Sequence, residues 1–289
     1  MKLLVKINLG LVAVFGVGFV ATSFFTRQVL EQNAEREVIS SARLMMESAA
    51  AARGYTTGEI KPLLAPQLAK TFLPQSVPSY AATQSFAALH KSNPDYSYKE
   101  ATLNPTNPRD RVVDWEADVV QRLRDHPETK EFIGQRNSES GPSLYLARPI
   151  RINDGQCLSC HSTPAAAPAS MLALYGANNG FGWKLGEVVG SQIVSVPLDV
   201  AMRQADRTVH VIMTGFALSF AALLLFVNAV VIWLVQRPIQ RMARIADAVS
   251  EGQTDVDPFP KGGSDELAML GTAFTRMRRS MDKALALLD

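Results

Sequence analysis

Two stretches of the chain carry no charged residue: Ile7 to Phe25, and Val211 to Val235, whose one side-chain amide is Asn228. Crossing the hydrocarbon core of a bilayer as a helix takes roughly 20 apolar residues, so each stretch predicts a transmembrane span. A buried core helix seldom runs so far without a charge. A cleaved signal peptide is the alternative for the first stretch, and Lys2 and Lys6 fit its basic start. Its apolar run is longer than a signal core, and Ala21, Thr22 and Ser23 lead into Phe24 and Phe25 rather than a small-residue cleavage site. An uncleaved anchor is therefore expected. Lys2 and Lys6 precede the first span, and Arg237, Arg241 and Arg244 follow the second, which predicts both termini in the cytoplasm. The expected layout is a cytoplasmic N-terminus (1–6), span 1 (7–25), an extracytoplasmic domain (26–210), span 2 (211–235) and a cytoplasmic segment (236–289).

Patterning within the outer segment mixes helix and strand. Gln28 to Arg53 is rich in Ala, Glu and Arg with no proline, and predicts a helix. Pro62, Pro66, Pro74 and Pro78 predict irregular structure with short helices. Phe86 to His90 and Trp115 to Asp125 read as helical. Tyr96 to Leu103 reads as a short strand among Asn-Pro turns. Ser143 to Ile152 alternates, with Leu144, Leu146 and Ile150 set against Tyr145, Ala147 and Arg151, and predicts a strand; Val188 to Val196 predicts another. Pro164 to Ala169 reads as a loop. Long helices flanking a few strands imply an α+β domain.

After the second span, Ile239, Met242, Ala246 and Val249 fall at heptad spacing. Beyond a connector from Glu251 to Gly263, so do Leu267, Leu270, Phe274, Met277, Met281, Ala284 and Leu288. Asp265 and Glu266 open the second helix, where negative charge suits the macrodipole. Two short helices with such seams need a parallel partner, which implies a homodimer. Pro238 at the start of the first helix, Glu266 at the start of the second, and the stripe through Phe274 and Met277 resemble the HAMP module of histidine kinases and chemoreceptors. That resemblance implies a parallel coiled-coil relay and, with no kinase, cyclase or methyl-accepting segment after Leu288, a separate output partner.

Composition adds exclusions. The 289 residues carry 29 basic and 27 acidic side chains, for a net charge of +2, which points to no nucleic-acid partner. The two cysteines, Cys157 and Cys160, are followed at once by His161. This is the attachment pattern of one covalent c-type haem: two thiols add to two vinyl groups, and the adjacent imidazole supplies the proximal iron ligand. A disulfide across two residues would be strained. A thioredoxin-like redox pair belongs to a strand–helix context, and zinc needs four ligands. For the sixth iron position the candidates are His90, His126, Met45 and Met46, with Met171, Met202 and His210 behind them. Core packing is an equal reading for Met45 and Met46.

The stretch Tyr98-Lys99-Glu100-Ala101-Thr102-Leu103-Asn104-Pro105-Thr106-Asn107-Pro108, then Asp114-Trp115-Glu116, then the haem motif, resembles the PAS-like c-type-haem sensor family. The resemblance covers about residues 40 to 200. It implies a PAS-like fold with a helix packed along it and a haem at its side. Some members use an upstream cysteine as distal ligand, and this chain has no third cysteine. The expected protein is a non-enzymatic sensor in a bacterial inner membrane. Its periplasmic haem detects redox state or a diatomic gas and signals through HAMP to a kinase, chemoreceptor or other output protein. The competing functions are a tethered monohaem electron carrier, which has no use for the cytoplasmic heptads, and haem-based catalysis, for which no acid/base residue stands out.

Overall fold

The computed structural model describes residues 3–138, 141–253, 256, 258–259 and 265–285. Lys2, Gly263 and Leu288, and the side chain of Ala284, lie outside the described residues. The chain divides into two compact units, Thr26–Val209 and the pair Met1–Phe25 with His210–Asp289.

Helix α1 (Leu3–Tyr55) is a single element, and the helix expected from Gln28 to Arg53 is its second half. Within the Thr26–Val209 unit, Val38, Ala42, Met46 and Ala49 recur every three or four residues and are buried. Two of these four are alanines, which lets the backbone approach the sheet closely. Charged residues beside the stripe fasten it: Arg43 donates to Glu131 at 3.0 Å, Arg148 to Glu47 at 2.7 Å and Gln135 to Glu35 at 3.1 Å.

The sheet comprises β1 (Ser97–Thr102), β2 (Phe132–Ser138), β3 (Gly141–Arg151) and β4 (Val188–Pro197), in the order β1-β4-β3-β2 with every pair antiparallel. This is the α+β arrangement the patterning predicts. Leu144, Leu146, Val194 and Val196 point to one face and pack on α1 and on Ala82 and Phe86 of α2 (Pro78–Ser92). Ala101, Ala147 and Ile193 point to the other and meet Val119 and Leu123 of α3 (Asp114–Asp125). The central strands are thus apolar on both faces, and Ala147 is as buried as Leu146. Each large aliphatic side chain so buried contributes about 1.5–3 kcal/mol.

Three elements differ from expectation. Strand β2 was not predicted, because Gly134 and the polar Gln135, Arg136 and Asn137 break its pattern. Gly134 is required there, since the Tyr145 ring occupies the space a Cβ would need. Helix α2 is longer than Phe86 to His90: Pro78 lies in its first turn, where a missing N–H costs little, so this proline starts a helix rather than interrupting one. Helix α4 (Ala169–Tyr175) follows the Pro164–Pro168 loop and also went unread.

The second unit holds the two helices that are long and apolar enough to cross a membrane. Phe15 of α1 stacks on Phe220 of α5 (Asp199–Val230) with ring centroids 4.0 Å apart, and Asn8 and Asn228 exchange side-chain hydrogen bonds at 2.8 Å. In lipid, where apolar surface alone gives helices no reason to associate, such packing and amide pairing hold them together. A π-helical turn, Val231–Gln236, joins α5 to α6 (Arg237–Ser250), which has Pro238 in its first turn. Helix α7 (Glu266–Leu285) is capped by Asp265, whose Oδ1 accepts from the Ala268 N–H at 2.9 Å. Met242, Ile245 and Phe259 form the core between α6 and α7, and Phe259 stacks on Phe274. Ile245 fills this core, whereas Ile239, read as part of the seam, is exposed, as are Leu270, Met277 and Met281.

Glu131 gives an acid-stability test. Burial alone would raise its carboxyl, but hydrogen bonds from Arg43 and Arg148 outweigh that and hold it below its ordinary 4.5. A depressed folded pKa contributes stability above the unfolded value, and that stability is lost as pH falls through the folded one. We expect the melting temperature of the wild type to fall more steeply below about pH 4.5 than that of Glu131→Gln. Equal slopes would mean the bridge contributes nothing.

Candidate haem-attachment site

The candidate residues follow strand β3. Asp154 Oδ1 accepts from the Gln156 N–H at 2.8 Å and starts a 3-10 turn, Gly155–Cys157, which passes directly into a helical turn, Leu158–His161. Residues three apart on such a turn share a side, so Cys157 and Cys160 face the same way. Both are free thiols and half-buried.

His161 is held from four directions. Its Nδ1 lies 2.7 Å from the Gly180 carbonyl, so Nδ1 carries the proton and donates it. Thr106 Oγ1 is 3.4 Å from the same nitrogen. The Trp183 indole stacks on the imidazole with centroids 3.9 Å apart and planes 11° apart. Backbone bonds from the Gly182 N–H to Ser162 and from the Trp183 N–H to His161 clamp the 180–183 loop onto the motif. Burial pushes the imidazole pKa below 6.5, against the opposing pull of the Gly180 carbonyl. The result is a neutral ring with Nδ1 engaged and a lone pair on Nε2, the form that ligates a metal.

The loop after β1 sets the Gly180 carbonyl. Asn104 Oδ1 accepts from the Gly180 N–H at 3.1 Å, and its Nδ2 donates to the Phe181 carbonyl at 3.2 Å. Gly180 has φ +84°, and a Cβ there would meet the Thr106 side chain and come within 2.9 Å of its Cα. Only glycine satisfies both the left-handed backbone and the close approach.

The motif also borders the end of α1. Arg53 Nη1 bonds both oxygens of the buried Glu100 carboxylate at 2.5 Å. Burial alone would lower the guanidinium pKa; the Glu100 contact overrides it and raises the value. Tyr98 donates to the same carboxylate at 2.7 Å. Beyond α1, Lys61 Nζ donates to Gln156 at 3.1 Å.

The distal candidates are not gathered at this site. Met46 is fully buried in the core under α1, and Met45 packs at its edge. His90 is exposed, with Nδ1 2.9 Å from the Tyr96 carbonyl. His126 is exposed next to Glu128. None of the four is among the contacts described for His161. Among the described residues no cluster of three His, Cys, Asp or Glu side chains forms. The cysteines follow an antiparallel strand and a 3-10 turn, not the strand–helix context of a thioredoxin-like pair. Two thiols on one side of a turn, followed by an imidazole whose Nε2 is free, fit covalent haem attachment.

A family model described as Tll0287-like matches residues 31–197, more than half of the chain. The chain belongs to the Tll0287-like family. A HAMP domain model matches residues 230–283. The search of solved structures finds the crystal structure of the cyanobacterial heme-protein Tll0287, with 14% sequence identity and a TM-score of 0.44, covering 56% of this chain and 95% of that one. No curated protein matches. Sequence reasoning quoted Asn104, Thr106 and Glu100 of the Tll0287-like domain as motif letters without roles. It did not single out Arg53, Gly180 or Trp183, although Asn-Asn-Gly-Phe-Gly-Trp is a visible turn signal.

Two predictions follow from this geometry. Gly180→Ala should destabilise the domain by about 1–3 kcal/mol, read as a lower melting temperature, and Thr106→Gly should recover part of the loss; no change would mean the loop accommodates a Cβ freely. Arg53→Met should cost about 3–5 kcal/mol because it leaves Glu100 buried without a counter-charge. The double variant Arg53→Met/Glu100→Gln should be more stable than Arg53→Met alone, and failure to recover would show that the pair is not coupled.

Proposed function

We propose that this protein is a membrane-anchored haem-c sensor that signals through its HAMP module. Haem is covalently attached at Cys157 and Cys160, His161 is the proximal ligand, and the protein is not an enzyme. Residues 26–210 form a PAS-like periplasmic domain of a bacterial inner-membrane protein, flanked by spans at 7–25 and 211–235, with residues 1–6 and the HAMP segment 236–289 in the cytoplasm. When bound, the haem supplies a one-electron couple and a coordination position open to exchange, as for a diatomic gas. The observation that carries the reading is the His161 ring, held with Nδ1 2.7 Å from the Gly180 carbonyl and stacked on Trp183 directly after Cys157 and Cys160, in a chain that also matches a HAMP domain.

The residues around the motif limit what can move. Gly180, Thr106 and Trp183 fix the His161 ring, so a change at the site is taken up elsewhere. At the end of α1, Arg53 is tied to the buried Glu100 of β1. A shift at the motif that reaches this pair displaces the end of α1. Helix α5 begins one residue beyond Leu198, which follows β4, so the sheet acts on it directly. The π-helical turn at Val231–Gln236 is a change of helical register between the span and the HAMP segment, of the kind found at functional sites. A two-state HAMP pair then needs only a small bias to repack. The exposed Leu270, Met277 and Met281 support a parallel homodimer, and a separate output protein receives the signal.

Expression with a haem-maturation system should give one haem per chain that survives acid–acetone extraction, and Cys157→Ser/Cys160→Ser should give none. A haem-free wild type would sink the proposal and return the cysteines to thiol chemistry. Removal of 236–289 separates the sensor from a tethered electron carrier: a carrier keeps its electron-transfer phenotype, a sensor loses its output. In isolated membranes, Met277→Cys should crosslink to a dimer and Arg276→Cys much less; equal yields would count against the parallel seam.

A further inference from the structure

Helix α3 covers only part of the sheet face opposite α1. Between α2, α3 and the edge strand β1 lies a cavity of ≈ 440 Å³, large enough for a small organic molecule. Trp115 and Ile193 give it an apolar wall, Phe86 and Tyr98, which also pack on the α1 side, border it at β1, and none of Cys157, Cys160 or His161 lines it.

The charges in its lining pair off, with one exception. Lys99 Nζ lies 2.6 Å from Glu116, which also accepts from the Val113 N–H and is held by it. Arg109 Nε lies 3.3 Å from Asp110. Arg136 remains. Its guanidinium stands over the Trp115 ring, 4.4 Å from the centroid, so its face is used. Its Nε is shut off from solvent and has no hydrogen-bond partner among the described residues. A charged donor removed from water without an acceptor is costly, and native proteins seldom leave one so.

We propose that this cavity binds a small monocarboxylate with a ring-sized apolar body, its carboxylate held by Arg136. A carboxylate matches the guanidinium edge with two parallel hydrogen bonds. The indole under Arg136 holds the fork in place, so little freedom is lost on binding. Phe86, Trp115 and Ile193 receive the apolar body. One uncompensated positive charge selects a monoanion; a dianion such as phosphate would face Asp110 and Glu116 with its second charge unmatched. The site is a second input to the domain and does not rest on the haem reading. Its walls include β1 and the α2 helix that packs against it, and β1 also carries Glu100, the partner of Arg53, on its opposite face.

The test uses the full chain in lipid nanodiscs and 4-fluorobenzoate observed by fluorine NMR. The wild type should bind it, and should bind 4-fluorobenzamide, the same ring without the charge, at least about tenfold more weakly. Arg136→Gln should weaken 4-fluorobenzoate binding by about tenfold or more. Arg122→Gln, which removes a guanidinium stacked on Phe132 outside the cavity lining, should bind as the wild type does. No binding of the acid by the wild type up to about 10 mM, equal binding of acid and amide, or a folded Arg136→Gln that binds normally would each overturn the proposal. Should Arg136→Gln fail to fold, the acid–amide comparison on the wild type decides alone.

Discussion

A carboxylate that is almost completely removed from water joins the end of helix α1 to strand β1. Glu100 keeps 4% of its side-chain surface and Arg53 keeps 30%, and the guanidinium grips both carboxylate oxygens. Desolvating two charges is unfavourable, so a pair of this kind persists only where its geometry is good and the remaining lone pairs are satisfied. Here Tyr98 supplies a further donor and is itself bonded by Gln192 at 3.1 Å, so the network runs from α1 through β1 into β4. Burial and the neighbouring carboxylate together push the Tyr98 hydroxyl pKa well above its ordinary value, which keeps it a donor. The pair fixes the register of α1 on the sheet more sharply than its alanine stripe could, because an apolar stripe of small residues tolerates sliding and a buried charge does not.

Strand β1 carries that constraint toward the motif. Within the strand, Glu100 receives Arg53 from the end of α1. Immediately after the strand, Asn104 and Thr106 set the Gly180 loop that fixes His161. The imidazole is held by short-range contacts from that loop, while the same strand is tied through Glu100 to the long helix.

Much of this was legible in the sequence, for reasons that can be named. The uncharged blocks, the Cys157-Leu158-Ser159-Cys160-His161 run and the heptads of α6 and α7 are local patterns whose meaning does not depend on distant residues. Strands β1, β3 and β4 and helix α3 follow from alternation or helical spacing and match within one or two residues. Strand β2 failed because its identity comes from its partner: Gly134 is present to admit the Tyr145 ring, and Arg136 stacks on Trp115 from another element. Ile239 is exposed in the single chain, as are Leu270, Met277 and Met281 of the same heptad pattern, whereas Ile245, off the simple heptad, packs with Phe259 and Leu267 inside the chain. Arg53, Gly180 and Trp183 were out of reach, because a lone arginine in a helix or a glycine in a loop has no signature until the chain folds a partner against it.

The two faces of the sheet also divide the work chemically. The face under α1 is filled by Leu144, Leu146, Val194 and Val196; it is joined to the long helix by apolar contact and by the Glu131, Arg148 and Glu100 bridges. The face under α3 is thinner. It is built on Ala101, Ala147 and the aromatic rings of Trp115, Phe132 and Tyr145, and it leaves the cavity beside Arg136 open. Small side chains on a central strand free volume, and aromatic rings frame it without filling it. A domain that needed only to hold a covalent group at its edge could have packed both faces with leucine and valine. The Arg136 guanidinium on this open face is stacked on Trp115, and its buried Nε, without an acceptor among the described residues, is the group an acceptor entering the cavity would satisfy.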